Sequence, residues 1–564
     1  MPPPLCVPSQ NPAYCPQGGT EPTQTTELFE CHQQREDAPK KPYRLLAQNE
    51  SMTMTLHELF QAHVAADPSA EAVISGSERI TYGELASRVD RIARGLHDHG
   101  VADGDRVAVL AGNSPDVIAV YLAVGRLGAV YVPISSGFRE REGTYVVANA
   151  SPKLAIVESS MLSEFRSWRG AEEVPTVIVR NQPAAAAEVD GTIDFADFGR
   201  YSPEAPSPVV DANAPLLLCY TSGTTSTPKP VLHSQGSEVY NAQTYAQAWQ
   251  LSPNDIGIVS LPLAWVYGLS AATAATLVSG GTVVLLERFH PVVVLDAIAT
   301  HRATAIWGTM SMYSKLLEVA KSRVEQDISS LRLVVNGGEP CPPPLVAEFE
   351  KFTGLTLLGS YATSEARPIL VVRPGDTSVP EGSSGQLVPG AEIKLVDPNG
   401  NVVPEGETGH ALLRCPGLMS EYFREPELTR ERMTSDGWLE SGDLIRRDSN
   451  GYYFIVGRQS DMIIRSGLNI APAEVESALL ALPEIADAAV VGFPDRRSGE
   501  GIRAFVVTTG NVDVSEDRIR SELGETLASY KVPQEIIFTL ELPRTPRGKV
   551  DKVALRSLPV PSAS

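Results

Sequence analysis

RVAVLAGNSPDVIAVYLAVGRLGAVYVPIS, Arg106–Ser135, is the stretch on which the fold turns. Val107 to Leu110 are apolar and mostly β-branched, as a strand buried on both faces requires. Ser114 follows as an N-cap. Pro115 takes the first helical position, where its fixed φ suits the helix and its missing N–H costs nothing. An apolar helix runs on and stops near Gly128, and AVYVPIS supplies a second strand. Strand, helix and strand in this order make a βαβ unit, whose crossover leaves the two strands parallel. The chain is therefore predicted as α/β, with mostly parallel sheets covered by helices.

Amphipathic helices alternate with short strands from Leu56 onward. Residues 1–50, rich in Pro, Gln and Thr without an apolar period, read as a disordered tail. The Pro- and Ala-rich stretch Asn181–Pro215 reads as a surface excursion between lobes. Alternation resumes with VVLLE (Val283–Glu287) and LRLVVNGG (Leu331–Gly338). Beyond Gly385 the short strands AEIKLVD, HALLRC and YYFIVG are broken by Gly, Pro and Asn, which predicts a small antiparallel barrel. From Asp461 comes a smaller α+β segment, with helices at Ala473–Leu482 and near Ser515–Ala528 and strands at Ala488–Gly492 and Ala504–Thr508. The expected domains are a tail (1–50), a large domain (51–459) and a small domain (460–558). Gly499–Ala504 mimics the dinucleotide pattern GxGxxA, but it lies between two strands and opens no helix, so it is set aside.

The 564 residues carry 47 Lys and Arg against 68 Asp and Glu, a net charge of -21. Nucleic acid demands a basic footprint and is excluded as a partner on that ground. An anionic ligand must instead be held by a local site. No apolar run reaches the roughly 18 residues of a membrane span. The opening MPPPLCVPSQ has no basic n-region or apolar core, and PSAS is no address signal, so cytoplasmic residence is expected. The six cysteines show no CxxC spacing and no HExxH occurs, so reduced thiols are expected and neither a structural zinc nor a redox pair.

LLLCYTSGTTSTPKP, Leu216–Pro230, carries the chemistry. Leu216 to Tyr220 form a buried strand. Thr221, Ser222, Gly223, Thr224, Thr225 and Ser226 then supply hydroxyls and freely approached backbone N–H groups, and Lys229 supplies charge. Such a loop suits a polyphosphate. It is not a Walker loop, because no GxxxxGK occurs. NGGEP, Asn336–Pro340, follows an apolar strand, and ligands collect at such strand ends in open α/β sheets.

The loop resembles the signature loop of the adenylate-forming superfamily, which comprises acyl-CoA synthetases, nonribosomal-peptide adenylation domains and luciferases. The motifs are most similar to those of acyl- and aryl-CoA ligases. The likeness runs over roughly residues 55–555, with the motifs in the family's order. It implies that Thr221–Lys229 clamps the β- and γ-phosphates of ATP, with Thr221 also assisting catalysis. Pro230 stands where the family usually has Gly, and Gln235 where a His is common. Gly338, Glu339 and Pro340 would border adenine. GSYATSEA resembles the family's Tyr-Gly-x-Thr-Glu motif. By that match Ser360, Tyr361, Ala362, Thr363 and Ser364 line the nucleotide, Tyr361 packs on adenine, Ser364 nears a phosphate and Glu365 binds Mg²⁺. Ala362 replaces the usual Gly, and Ser364 the usual Thr. Asp443 would accept the ribose hydroxyls with Arg458 beside it. Lys549, in PRTPRGKVDK, resembles the catalytic lysine that stabilises charge at the α-phosphate.

Ser460 is the implied hinge, where Asp or Lys is commoner. Arg465, Ser466 and Gly467 would line the pantetheine tunnel. LPLAWVYGLS resembles the segment bordering the acyl site, so Trp265, Tyr267, Gly268, Trp307, Gly308 and Met310 are candidate walls for an apolar or aromatic acyl group. Arg367 is a candidate for a second polar group on the acid. The implied activity is that of an ATP-dependent acid–CoA ligase using ATP, Mg²⁺ and CoA. The alternatives are loading of a carrier protein's phosphopantetheine in trans, a luciferase-like oxygenase, and an inactive binding homologue. The small-molecule partner is a carboxylic acid, and no aspartate stands where amino-acid-specific relatives carry one. The oligomeric state is open.

Overall fold

A computed structural model describes residues 54–181, 191–221, 228–322, 327–339, 343–466, 468–495, 498–510, 514–545 and 549–558. The predicted tail lies outside them. The βαβ unit forms where expected. Arg106–Leu110 and Val130–Pro133 pair in parallel, with Val107 opposite Tyr131, and Pro115–Arg126 is the crossover helix. Ser114 Oγ accepts the Val117 N–H at 3.4 Å. Gly128 closes the unit at φ +71°, and a Cβ there would fall 2.3 Å from Asp103 Oδ1, so conformation and space both demand glycine.

Two large sheets carry the site. One has nine strands, six of them consecutive and parallel, in the order Leu357–Tyr361, Leu333–Gly337, Ala305–Gly308, Ile256–Val259, Thr282–Leu285 and Glu71–Ser75. Antiparallel strands close both its edges. The other has eight strands, and Pro215–Thr221 pairs within it in parallel with Val130–Pro133 on one side and antiparallel with Lys229–Ser234 on the other. Helix Gln235–Ala248 is buried along nearly its whole length among these layers, which is why it reads as apolar on no single face.

Three expectations change. The predicted barrel is a four-stranded antiparallel sheet whose end strands, Glu392–Val396 and Tyr453–Arg458, do not pair with each other among the described residues. Asn181–Pro215 is not wholly a surface excursion. Thr192–Asp194 adds an edge strand, and the Phe198 ring is buried against Gly95. Gly499–Ala504, set aside as a nucleotide motif, lies within the strand Gly499–Thr508.

Residues from Ile463 onward form a separate five-stranded sheet flanked by helices Pro472–Leu480 and Glu516–Thr526. Its core, built on Val475, Leu479, Val490, Ile502, Ile519 and Leu523, is distinct from the cores of the large sheets. No helix among the described residues is long and apolar enough to cross a membrane.

Candidate active site

The two ends of the phosphate loop are held as a pair. Thr221 and Lys229 face each other across the antiparallel strands Pro215–Thr221 and Lys229–Ser234. Ser222, Gly223, Thr224, Thr225 and Ser226 lie outside the described residues. Thr221 is buried. The Lys229 ammonium lies 5.7 Å from the centre of the Tyr422 ring. Burial pulls its pKa below the usual lysine range. Glu365 opposes that pull, while Arg432 and Arg458 add to it.

Glu365 follows the strand Leu357–Tyr361. The phenol of Tyr422 donates to its Oε1 at 2.9 Å, and its backbone carbonyl accepts the Met419 N–H at 2.7 Å. The turn between is self-locked, since Thr363 N–H donates to the Ala366 carbonyl and Ala366 N–H to Thr363 Oγ1, both at 3.0 Å. Among the described residues no cluster of three metal-binding side chains occurs. A lone carboxylate nonetheless suits a magnesium ion that arrives on phosphates and keeps several waters.

At the start of the same turn, Tyr361 donates its hydroxyl to Asp443 Oδ2 at 2.6 Å. Asp443 stands opposite Arg458 in the antiparallel sheet, and Arg458 Nε donates to its Oδ1 at 3.0 Å. A carboxylate has about four acceptor positions, so this pair of donors leaves room for two ribose hydroxyls. Burial pushes the Asp443 carboxyl above the usual aspartate range, and Arg458 and Tyr361 offset part of that rise.

Gly337 ends the neighbouring strand and Gly338 follows it. Glu339 spends its side chain on a helix. Its Oε2 accepts the Ser311 N–H at 3.0 Å, which caps Met310–Ser322, and Ser311 Oγ donates to the same carboxylate. Only its backbone is left to border a base. Ser360 Oγ donates to the Asn336 carbonyl at 3.3 Å, knitting the two strand ends together. Pro340 lies outside the described residues.

The candidate acyl wall is narrower than expected. Tyr267 opens an eight-residue π-helix, Tyr267–Ala274, an element often found at functional sites. Its hydroxyl donates to the carbonyls of Gly308 and Val335 at 3.2 and 3.1 Å, on two neighbouring parallel strands. A Cβ on Gly268 would meet the Pro262 carbonyl oxygen at 2.5 Å, so the chain must stay bare there. Trp265 is partly exposed, yet its Nε1 is sealed off without a hydrogen-bond partner. Trp307 and Met310 belong elsewhere. The Trp307 ring packs on Gly257 and Trp249 within the core, and Met310 is buried under the helix that it starts. Arg367 also departs from expectation. It is 2 % exposed, is paired with the buried Glu238, and donates to the Ser364 carbonyl at 2.8 Å, so it supports the turn instead of meeting an acid.

In the C-terminal segment Arg465 donates to the Tyr530 carbonyl at 2.5 Å, and Ser466 takes a positive φ of 52° at the turn of a hairpin. Gly467 lies outside the described residues. Lys549 is exposed, and its carbonyl accepts the Thr545 N–H at 2.7 Å in a hairpin whose base pairs Arg544 with Val550. Arg544 bonds Asp487 at 2.7 Å. Both line a groove of about 450 Å³ with Lys315 of helix Met310–Ser322. The hairpin base thus lies beside the helix that Glu339 caps. Gln235, the other departure, is fully buried and donates to the Gly125 carbonyl at 3.1 Å.

Sequence reasoning missed Tyr422 and Arg432. Neither falls in a recognisable motif. The available signal was only that EYF precedes a short helix, PELTRER, rich in charge.

Residues 60–423 match the AMP-binding enzyme family, and residues 474–549 match the AMP-binding enzyme C-terminal domain. Indoleacetate–CoA ligase of Aromatoleum aromaticum is 34% identical over 510 residues, covering 90% of this chain and 98% of its own length. Feruloyl-CoA synthase of an Amycolatopsis species is 34% identical over 490 residues, covering 87% and 96%. The crystal structure of ATP-bound MatB from Rhodopseudomonas palustris superposes with a TM-score of 0.82 at 30% identity, covering 89% of this chain and 98% of that one.

Proposed function

The chain belongs to the AMP-binding enzyme family and is an AMP-forming acid–CoA ligase, and we propose that it activates an aromatic carboxylic acid with ATP and Mg²⁺. The observation that carries this reading is the turn Tyr361–Glu365. One end grips Asp443, and the other places Glu365 near Lys229, with Tyr422 in contact with both. A ribose-side fixture and a phosphate-side fixture therefore share one short, locked segment. That is the preorganisation a nucleotide reaction needs.

In the first half-reaction a carboxylate oxygen of the acid attacks the α-phosphorus of ATP. The bond from that phosphorus to its bridging oxygen breaks, and pyrophosphate leaves with the electron pair. Asp443 and Arg458 hold the ribose, Lys229 and the Thr221–Ser226 loop hold the β- and γ-phosphates, and Glu365 would hold the metal. When bound, Mg²⁺ neutralises charge on the phosphate oxygens. Lys549 meets the charge that builds at the α-phosphate. In the second half-reaction the CoA sulfur attacks the acyl carbon, its proton passes to solvent, and AMP leaves with the electron pair of the anhydride bond. Between the two half-reactions residues 460–558 turn about Ser460, exchanging Lys549 for the Arg465–Gly467 loop.

Trp265 and Tyr267 support an aromatic acid, as do the indoleacetate and ferulate named for the two relatives. The test is a panel of aryl, arylalkanoic and aliphatic acids scored by pyrophosphate release, with CoA, with a phosphopantetheinylated carrier protein, and with neither. Aryl acids should lead and CoA should sustain turnover. A preference for aliphatic acids would overturn the aromatic assignment, and turnover with the carrier alone would move the acceptor to a protein in trans.

A further inference from the structure

Arg432 ends the helix Pro426–Arg432, a segment to which the catalytic scheme assigns no task. Its side chain is one-third exposed, yet its Nε is sealed from solvent and has no hydrogen-bond acceptor. Glu431 Oε1, its ion-pair partner, lies 3.5 Å away and is not aligned for a hydrogen bond. At the other end of the guanidinium, Nη1 would stand 3.8 Å from a Cβ on Gly442, the residue before Asp443. The helix is also tied to the phosphate side. Tyr422 N–H donates to Thr429 Oγ1 at 3.0 Å, and Tyr422 is the residue that holds Glu365 and lies against Lys229.

Arg432 therefore sits between the Asp443 corner and the Lys229 corner. Its charge is felt at both Tyr422 and Lys229, and Arg458 acts on Lys229 in the same sense. The mutual repulsion of Lys229, Arg432 and Arg458 is unfavourable in the empty site, and Glu365 and Glu431 oppose it. A buried N–H without an acceptor adds to that cost. The repulsion is relieved by a polyanion carrying several acceptor oxygens, and the planar guanidinium can still offer its Nη groups to two such oxygens at once.

We propose that Arg432 is a phosphate-binding residue that grips the β,γ end of ATP, and hence the departing pyrophosphate, alongside Lys229. The inference rests on adenylation taking place at this site.

The test compares wild type with Arg432→Gln and Arg432→Lys in acid-dependent exchange of labelled pyrophosphate into ATP, and in direct binding of inorganic pyrophosphate and of AMP. Arg432→Gln should weaken the apparent affinity for pyrophosphate and the KM for ATP by about tenfold or more, the scale of one lost charge-assisted hydrogen bond. Arg432→Lys should recover part of that loss. AMP binding and thioester formation from supplied acyl-AMP should be unchanged. Unaltered pyrophosphate affinity, or an equal weakening of AMP and pyrophosphate, would overturn the proposal, the latter because it marks a support role through Gly442 and Asp443. Failure of wild type itself to exchange would instead remove the adenylation reading beneath it.

Discussion

Tyr422 donates its phenol to Glu365 Oε1 at 2.9 Å, across 57 residues of sequence. The bond leaves the carboxylate one oxygen committed and fixes the direction of the other. Removing the hydroxyl should loosen Glu365, the acid proposed to hold the metal, without removing its charge. Tyr422→Phe is predicted to lower kcat/KM about tenfold, near the 1.5–3 kcal/mol of a hydrogen bond to a charged group. The half-saturating magnesium concentration should rise with it. A magnesium titration identical to wild type would contradict the role.

Asp443 should set an acid limit on nucleotide binding. Burial raises its pKa above the usual aspartate value. It can accept ribose hydroxyls at both oxygens only when ionised. AMP affinity measured from about pH 8 down to about pH 4 should therefore begin to fall above the pH at which an exposed aspartate, of pKa about 3.9, would protonate. The stability sign is the reverse of that for an ordinary paired carboxylate. The folded chain holds this proton more tightly than the unfolded chain, so the group's contribution is present at low pH and is lost as pH rises through its folded pKa. Asp443→Asn should thus stabilise the fold at neutral pH while weakening AMP binding. Loss of both together would refute the assignment.

Arg367 and Glu238 form an ion pair with both side chains almost wholly buried, 2% and 1% exposed. Tyr121 and Ser270 donate to the other Glu238 oxygen at 3.0 and 2.7 Å. Arg367→Met should cost about 3–5 kcal/mol in denaturant unfolding, because it strands a buried charge. Adding Glu238→Gln should return part of the loss. The order of preference among acids should not move. A changed acid preference with intact stability would restore Arg367 to the acyl site.

Lys549→Ala should separate the half-reactions. A lost transition-state cation is worth about 10²- to 10³-fold in rate. Adenylate formation should drop by that order, while thioester formation from supplied acyl-AMP should stay near wild type. Equal loss of both steps would argue against two alternating poses.

The parallel sheets were legible because local rules agree over Arg106–Ser135, with buried run, N-cap, Pro and Gly each at its expected place. Asp443 and Arg458 were legible only through resemblance, and their pairing comes from antiparallel register, which no single segment reveals. Tyr422 was invisible for the same reason. It reaches Glu365 because Glu421–Tyr422 pairs with Val231–Leu232, nearly two hundred residues earlier in the chain. Trp307 misled because an aromatic side chain near a strand end suits a core as well as a pocket, and only the bare Gly257 against its ring decides which. Arg367 misled likewise, since its partner Glu238 lies on a helix whose uniform burial hides any patterned face.

The most direct measurement is isotope exchange between pyrophosphate and ATP, with purified protein, magnesium and an aryl acid but no CoA. Label should enter ATP only when the acid is present, since the reaction must run backwards through a mixed anhydride. Exchange that ignores the acid, or none with any acid offered, would mean that Lys229, Glu365 and Asp443 do not surround a reacting triphosphate.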